Sequence, residues 1–243
     1  MKIGALQTAY LPWLGFFDQI YQCDLFIIYD DLQYTKKDWR NSNRIKTSQG
    51  PMWLTVPLAS HGALKKKILD MEIAPTPGWA RAHWGALKMN YARAPFFSRY
   101  RGFFQDLYQH RWTHLAPLNR AIIDYCLSRL KIRTPVIYSS QSRLEEDYLS
   151  WCRGRTDATE RIIYICTRFG AQRFFGGPAG KQYIKENLLD RAGICMEYHH
   201  YPHPCYRQCF GPFIPYLSIV DLLFNEGDES LSILTNGAAP KGA

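Results

Sequence analysis

The sequence predicts an α/β protein, a Rossmann-like three-layer sheet with a basic helical insertion. Three observations carry that prediction. Short apolar runs alternate with helix-spaced stretches at both ends of the chain, helical spacing takes over between about residues 79 and 130, and no repeat or low-complexity linker divides the 243 residues. With 47% apolar and 15% aromatic residues, the chain can bury a full core, which excludes disorder. The expected organisation is one α/β domain over residues 1–232, its helical insertion at about 79–130, and a flexible tail over 233–243.

The elements follow in order. Lys2–Gln7 is a short apolar run, Leu14–Tyr21 has helical apolar spacing, and Leu25–Tyr29 is a continuous buried-strand pattern, together a parallel βαβ unit. A polar segment, Asp30–Gln49, comes next. Trp53–Leu58 and Lys67–Ile73 read as two strands of a hairpin, joined by a turn containing Gly and Lys. Pro75-Thr76-Pro77-Gly78 punctuates the chain, and from Trp79 the residues Trp79, His83, Leu87 and Tyr91 recur on one helical face. Further helices are predicted over Phe96–Tyr108 and through Leu118, Ile122, Tyr125 and Leu130. A strand at Thr134–Ser139 restarts the alternation. Thr156–Phe169 is helical, with Thr156 or Asp157 as N-cap and Gly170 past its end. Phe174–Gly177 reads as a strand entering a tight loop, Gly180–Leu189 as a helix, Ile194–His199 as a strand, and Ser218–Asn225 as a last helix stopped near Gly227.

Charge is unevenly spread. The formal net charge is +9, and residues 81–173 alone carry sixteen cations against seven anions. Eighteen of the 30 cations are arginine, whose planar fork suits phosphate oxygens. Either an anionic partner, with tRNA a candidate through residues 81–173, or a solvated basic face accounts for this. Seven cysteines, an odd number without a Cys-x-x-Cys pair, predict reduced thiols. Met1–Gln7 contains no long apolar signal-like core, and no apolar run reaches membrane-spanning length, so a cytoplasmic protein without a membrane span is expected.

Several constellations are candidates for chemistry. Gly4-Ala5-Leu6-Gln7-Thr8-Ala9-Tyr10-Leu11 lies between a strand and a helix, where open α/β sheets bind ligands. It resembles the first strand–helix turn of the pantothenate synthetase branch of HIGH-type nucleotidyltransferases, with Gln7 and Tyr10 at the two histidine positions. Neither residue supplies the positive charge that those histidines give to a transferring phosphoryl group. The segment Asp30–Lys46 concentrates donors and acceptors suited to a sugar or phosphate, or to a solvated loop. His199-His200-Tyr201-Pro202-His203-Pro204-Cys205-Tyr206-Arg207-Gln208-Cys209 offers His and Cys in no standard zinc spacing, so no metal ligand is assigned. Gly177-Pro178-Ala179-Gly180-Lys181 is too short for a Walker A loop, and either presents backbone N–H groups to an anion or is a bare turn. Asp221 and Asn225 share one face of the last helix, where they either enter a site or bridge another helix. His83 is either a general base or a satisfied core imidazole.

Taken together, Gln7–Phe17, Asp30–Lys46, Trp53–Pro57, the helix with His83 and Tyr91, Gly176–Tyr183 and Ser218–Gly227 resemble the WbqC-like protein family nearly end to end. One departure is Ser42, where the family often has Arg between two asparagines. The resemblance implies a bacterial protein associated with surface-polysaccharide or O-antigen formation, acting on nucleotide-activated sugars. The expected function is therefore a transferase that modifies a nucleotide-activated amino sugar or related phosphorylated metabolite, with an amide-forming acyl or aminoacyl transfer, such as glycyl transfer, as the most attractive version. In such a pocket His83 or Asp30 is the candidate base, and Arg44 and Lys46 form the candidate anion clamp. Gln33, Asn41 and Asn43 would meet substrate hydroxyls, with Gln7, Tyr10, Tyr91, Gly177, Asp221 and Asn225 as further binding residues. No cofactor is identified. The alternatives are a nucleic-acid-binding or nucleic-acid-modifying protein, for tRNA or DNA, and a non-catalytic member of a polysaccharide assembly complex.

Overall fold

The computed structural model describes residues 1–36, 38–59, 66–154 and 156–236. In chain order its elements are β1 (Lys2–Gln7), α1 (Leu14–Tyr21), β2 (Leu25–Tyr29), β3 (Ser42–Thr47), β4 (Gly50–Thr55), α2 (Trp79–Tyr91), α3 (Phe97–Gln109) and α4 (Leu115–Arg129). They continue with β5 (Val136–Tyr138), α5 (Leu144–Trp151), α6 (Ala158–Phe169), β6 (Arg173–Gly176), α7 (Glu186–Arg191), β7 (Cys195–Tyr198), α8 (Ile219–Glu226) and α9 (Ser230–Leu234). Two compact units emerge: Met1–Thr8, Gln19–Leu32 and Arg133–Tyr201 in the first, Ala9–Asp18, Gln33–Ile132 and the chain from Pro202 on in the second.

The first unit holds the predicted α/β architecture. Its five strands are all parallel, in the order β5-β2-β1-β6-β7, flanked by helices in the Rossmann-like manner. β2 is buried from Phe26 to Tyr29 without alternation, as a strand covered on both faces requires. The core gathers Ile3, Ile27 and Phe174 from the strands with Leu144 and one stripe of α6, Ile162 and Ile165. α6 starts where the Asp157 carboxylate accepts from the N–H groups of Thr159 (2.8 Å) and Glu160 (3.1 Å), and ends at Gly170 with φ 66°. Both boundaries were legible in the sequence.

The second unit contains the β3–β4 hairpin with α2, α3, α4, α8 and α9. Phe224 of α8 sits among the rings of Tyr91, Phe97, Tyr100 and Phe104, at centroid distances of 5.2 to 6.1 Å. These aromatics bury large areas and set how α2 and α3 pack on α8. The predicted basic helical stretch is thus present as α2 to α4.

Three expectations need correction. The hairpin pairs β3 with β4, register Ser42↔Thr55 to Thr47↔Gly50, and not 53–58 with 67–73. The second of those segments makes isolated bridges, Leu58↔Ile73 and Gln33↔Lys67, around a 3-10 turn at Ile68–Asp70. β3 was hidden because two of its three buried residues, Asn43 and Lys46, are polar and lie on opposite faces of the strand, so neither face looks apolar. The expected turn between 53–58 and 67–73 falls largely on residues 60–65, outside the described residues. Next, Gly180–Leu189 is not one helix but a 3-10 turn, Pro178–Gln182, followed by α7. A Cβ at Gly180 would lie 2.7 Å from Ile184, which shows how tightly that turn folds back. Finally, α5 was not foreseen; its first turn is acidic, which suits a helix N-terminus but interrupts apolar periodicity. α9 extends into the segment expected to be a flexible tail, and residues 237–243 lie outside the described residues.

Candidate functional site

The predicted site residues divide between the two units. Gln7, Asp30 and Gly177 belong to the first, and all the others to the second.

In the first unit the chain builds β1, β2 and β5 outward in one direction, then returns to place β6 on the other side of β1. The β1–β6 pair is therefore the topological switch point, and open α/β sheets bind ligands in the crevice outside the carboxyl ends of such strands. Gln7 is the last residue of β1, half-buried, and Gly177 directly follows β6. Gln19 donates from Nε2 to the Phe175 carbonyl (3.0 Å), and His199 N–H donates to the Gly176 carbonyl (2.8 Å), so the end of β6 is fixed from two sides. Gly176 is required by packing, because a Cβ there would lie 2.7 Å from Met196, whereas a Cβ at Gly177 would meet nothing within 4 Å.

Asp30 and Asp31 directly follow β2 and are buried. The Asp30 carboxylate accepts from Ser140 N–H (3.0 Å), Ser140 Oγ (2.8 Å) and Ser139 Oγ (3.2 Å), which ties β2 to the turn after β5. Ser139 Oγ also bonds Asp31. A hydroxyl has one proton, so it cannot donate to both carboxylates at once. Burial raises the Asp31 pKa, opposed by the Ser139 hydrogen bond and supported by the charges of Asp30 and Glu145. Beside them Arg161 grips Glu145 through two bonds, of 2.8 and 2.7 Å.

In the second unit the polar residues expected to meet substrate bond chiefly to one another. Tyr10 hydroxyl donates to His83 Nδ1 (2.8 Å) and shares a short hydrogen bond with Tyr108. Burial drives the His83 pKa down to about 4, against a smaller upward pull from the Thr55 carbonyl, so the ring is neutral at pH 7. Tyr91 hydroxyl accepts from Lys46 N–H (2.9 Å) and donates to Asp221 Oδ1 (2.7 Å), whose other oxygen accepts from Tyr206 (2.8 Å). Lys46 is 1% exposed, and its ammonium donates to Gln208 Oε1 (3.0 Å) and the Pro212 carbonyl (2.7 Å). Desolvation lowers the Lys46 pKa, opposed by Asp221 and Cys209. Desolvation raises that of Asp221, opposed by its hydroxyl donors and by Lys46. Asn225 donates to the Asp221 carbonyl (2.7 Å) and accepts from Cys209 Sγ (3.3 Å).

The remaining loop residues also brace the hairpin. Asn43 Nδ2 donates to the Leu11 carbonyl and its Oδ1 accepts from Arg44 N–H. Asn41 joins Tyr34 hydroxyl (3.2 Å) to the Val56 carbonyl (2.9 Å), and Gln33 bridges Lys67. Arg44 donates to the Tyr216 carbonyl (3.2 Å) and lies over Trp53, which is 54% exposed beside Trp39. No group of three or more His, Cys, Asp or Glu able to hold a metal occurs among the described residues. All seven cysteines are free thiols, four of them buried.

Two open hollows of this unit lie around Trp79, Arg81, Arg111 and Trp112. Sequence reading noted Trp79 as part of a helical face and Arg111 as one basic residue among many. Some thirty residues separate them, and no spacing rule joins them.

The model of the WbqC-like protein family matches residues 7–233. The chain belongs to that family. This WbqC-like protein is similar to the uncharacterized protein Rv1507c of Mycobacterium tuberculosis, 39% identical over 231 residues that cover 94% of this chain and 95% of the relative. No solved structure matches it. Among the described residues of this WbqC-like chain, no helix is long and apolar enough to cross a membrane.

Proposed function

We propose that this WbqC-like protein is a cytoplasmic transferase that modifies a nucleotide-activated amino sugar, or a related phosphorylated metabolite, in the formation of bacterial surface polysaccharide and O-antigen. The observation that carries the reading is the strand order β5-β2-β1-β6-β7, whose switch point falls between Gln7 and Gly177. A backbone without a side chain at Gly177 lets a diphosphate approach closely, and Gln7 offers an amide to a sugar or base. Asp30, at the end of the neighbouring strand, is the candidate for sugar hydroxyls or for the base. An amide-forming acyl or aminoacyl transfer remains our favoured version. The test is calorimetric titration of UDP-N-acetylglucosamine and related nucleotide sugars into the wild type and Gly177→Val. The valine has room on the protein side, so it folds but occupies the approach to the crevice. Binding to the wild type that is lost in the variant supports the reading. Equal binding by both, or none by either, defeats it.

A second reading, binding of tRNA as partner or as carrier of an aminoacyl donor, is favoured by Arg81, Arg93, Arg101, Arg111 and Arg129, all exposed on or beside α2, α3 and α4. Its signature is an RNA affinity that falls steeply with salt.

A further inference from the structure

The second unit contains a cleft that the leading proposed function, a sugar-modifying transferase, does not use. Two adjoining hollows, of about 340 and 450 Å³, share Thr76, Trp79, Arg111 and Trp112 as walls, and Arg81 and His110 line the larger one. Both indoles are half-buried, each with an open part facing the hollows. Trp79 is held edge-on against His83 (5.3 Å) and Tyr108 (6.3 Å), and Trp112 Nε1–H donates to the Leu107 carbonyl (2.7 Å). Neither ring is therefore free to collapse into the space beside it. Arg81 and Arg111 are exposed, and neither guanidinium has a carboxylate partner among the described residues. The acid on the wall, Glu72, is engaged by Lys66 at 3.2 Å.

The geometry points to a binding site for a sugar phosphate, either free or as the ribose phosphate of a nucleotide. Fixed indole faces cover the C–H face of a ring, and the two arginines supply charge-assisted bonds to a phosphate. Thr76 and His110 leave polar groups for ring hydroxyls. A purely solvated basic face needs neither a hollow nor two anchored indoles. The cleft is lined only by residues of the second unit and the β1–β6 crevice is built by the first, so the two readings are tested by different variants.

The experiment titrates glucose 6-phosphate in one arm and AMP in the other into the full chain, reading calorimetry and the indole Nε1–H resonances. Inorganic phosphate serves as competitor. The variants are the Arg81→Ala/Arg111→Ala double mutant, whose exposed positions leave folding intact, Trp112→Phe to assign the resonance, and Gly177→Val as control. The expected result is saturable one-site binding in at least one arm, competed by phosphate, that shifts the Trp112 resonance. The double mutant should weaken it about tenfold or more, while Gly177→Val leaves it unchanged. The arm that binds more tightly names the source of the phosphate. The proposal is overturned if neither probe binds, if the double mutant binds as the wild type does, or if Gly177→Val abolishes binding.

Discussion

His83 gives the sharpest test of the electrostatics. Its imidazole is 7% exposed, accepts from Tyr10 hydroxyl, and has its pKa moved from the ordinary 6.5 to about 4 by burial. Because the folded-state value lies below the unfolded one, the unfolded chain binds the proton first. His83 therefore costs no stability above pH 6.5 and progressively more as the pH falls toward 4. The gap corresponds to a full penalty of about 3 kcal/mol, of which about 2 kcal/mol is felt by pH 5. The perturbation is His83→Gln, which keeps an acceptor for Tyr10 and a donor for the Thr55 carbonyl but does not titrate. The assay is urea unfolding of both proteins at pH 7 and pH 5. Other groups titrate alike in the two chains and cancel in the difference, so the wild type should lose about 2 kcal/mol more than the variant between those pH values. Equal losses would refute the reasoning, as would an NMR titration of His83 with a midpoint near 6.5.

Three further outcomes follow from the same structure. Asp31 has a folded-state pKa raised by burial, so its ionised form is a burden above that value; Asp31→Asn should raise the thermal midpoint at pH 7 and lose that advantage near pH 4, and the opposite order would show that burial beside Asp30 and Glu145 does not burden the Asp31 carboxylate. Gly4→Ala places a methyl 2.7 Å from Cys23 Sγ and 2.8 Å from the Phe26 ring, an overpacking expected to cost about 1–3 kcal/mol in denaturant unfolding, partly recovered in the Gly4→Ala/Cys23→Ala double variant. Tyr10→Phe removes the hydroxyl joining His83 to Tyr108 and should cost about 1–3 kcal/mol by thermal unfolding, so a neutral result would show that the two groups find other partners.

What the sequence made legible follows one physical line. β1, α1, β2, α6 and α8 were readable because local chemistry and tertiary role agree: continuous apolar runs for strands covered on both faces, an Asp157 cap, a Gly170 stop. The β3–β4 hairpin was not, because two of its buried positions carry Asn43 and Lys46, and burial patterns are inferred from apolarity. The same residues explain why the candidate site was only partly legible. Asn43 and Lys46 stood out in a segment dense in donors and acceptors, Tyr91 and Asp221 as further binding candidates, and the fold buries all four. What no spacing rule could tell is whether each meets a ligand or another protein group. Lys46 is the clearest case: the residue is 1% exposed and its ammonium has two protein acceptors, so releasing it to a phosphate would leave Gln208 Oε1 and the Pro212 carbonyl to be satisfied anew. Arg81 and Arg111, exposed and free of carboxylates among the described residues, carry no such cost. A polar residue buried with all its partners is thus better evidence for how the fold is held than for what it binds, and the anion sites of this unit should be sought where charge is available, beside Trp79 and Trp112.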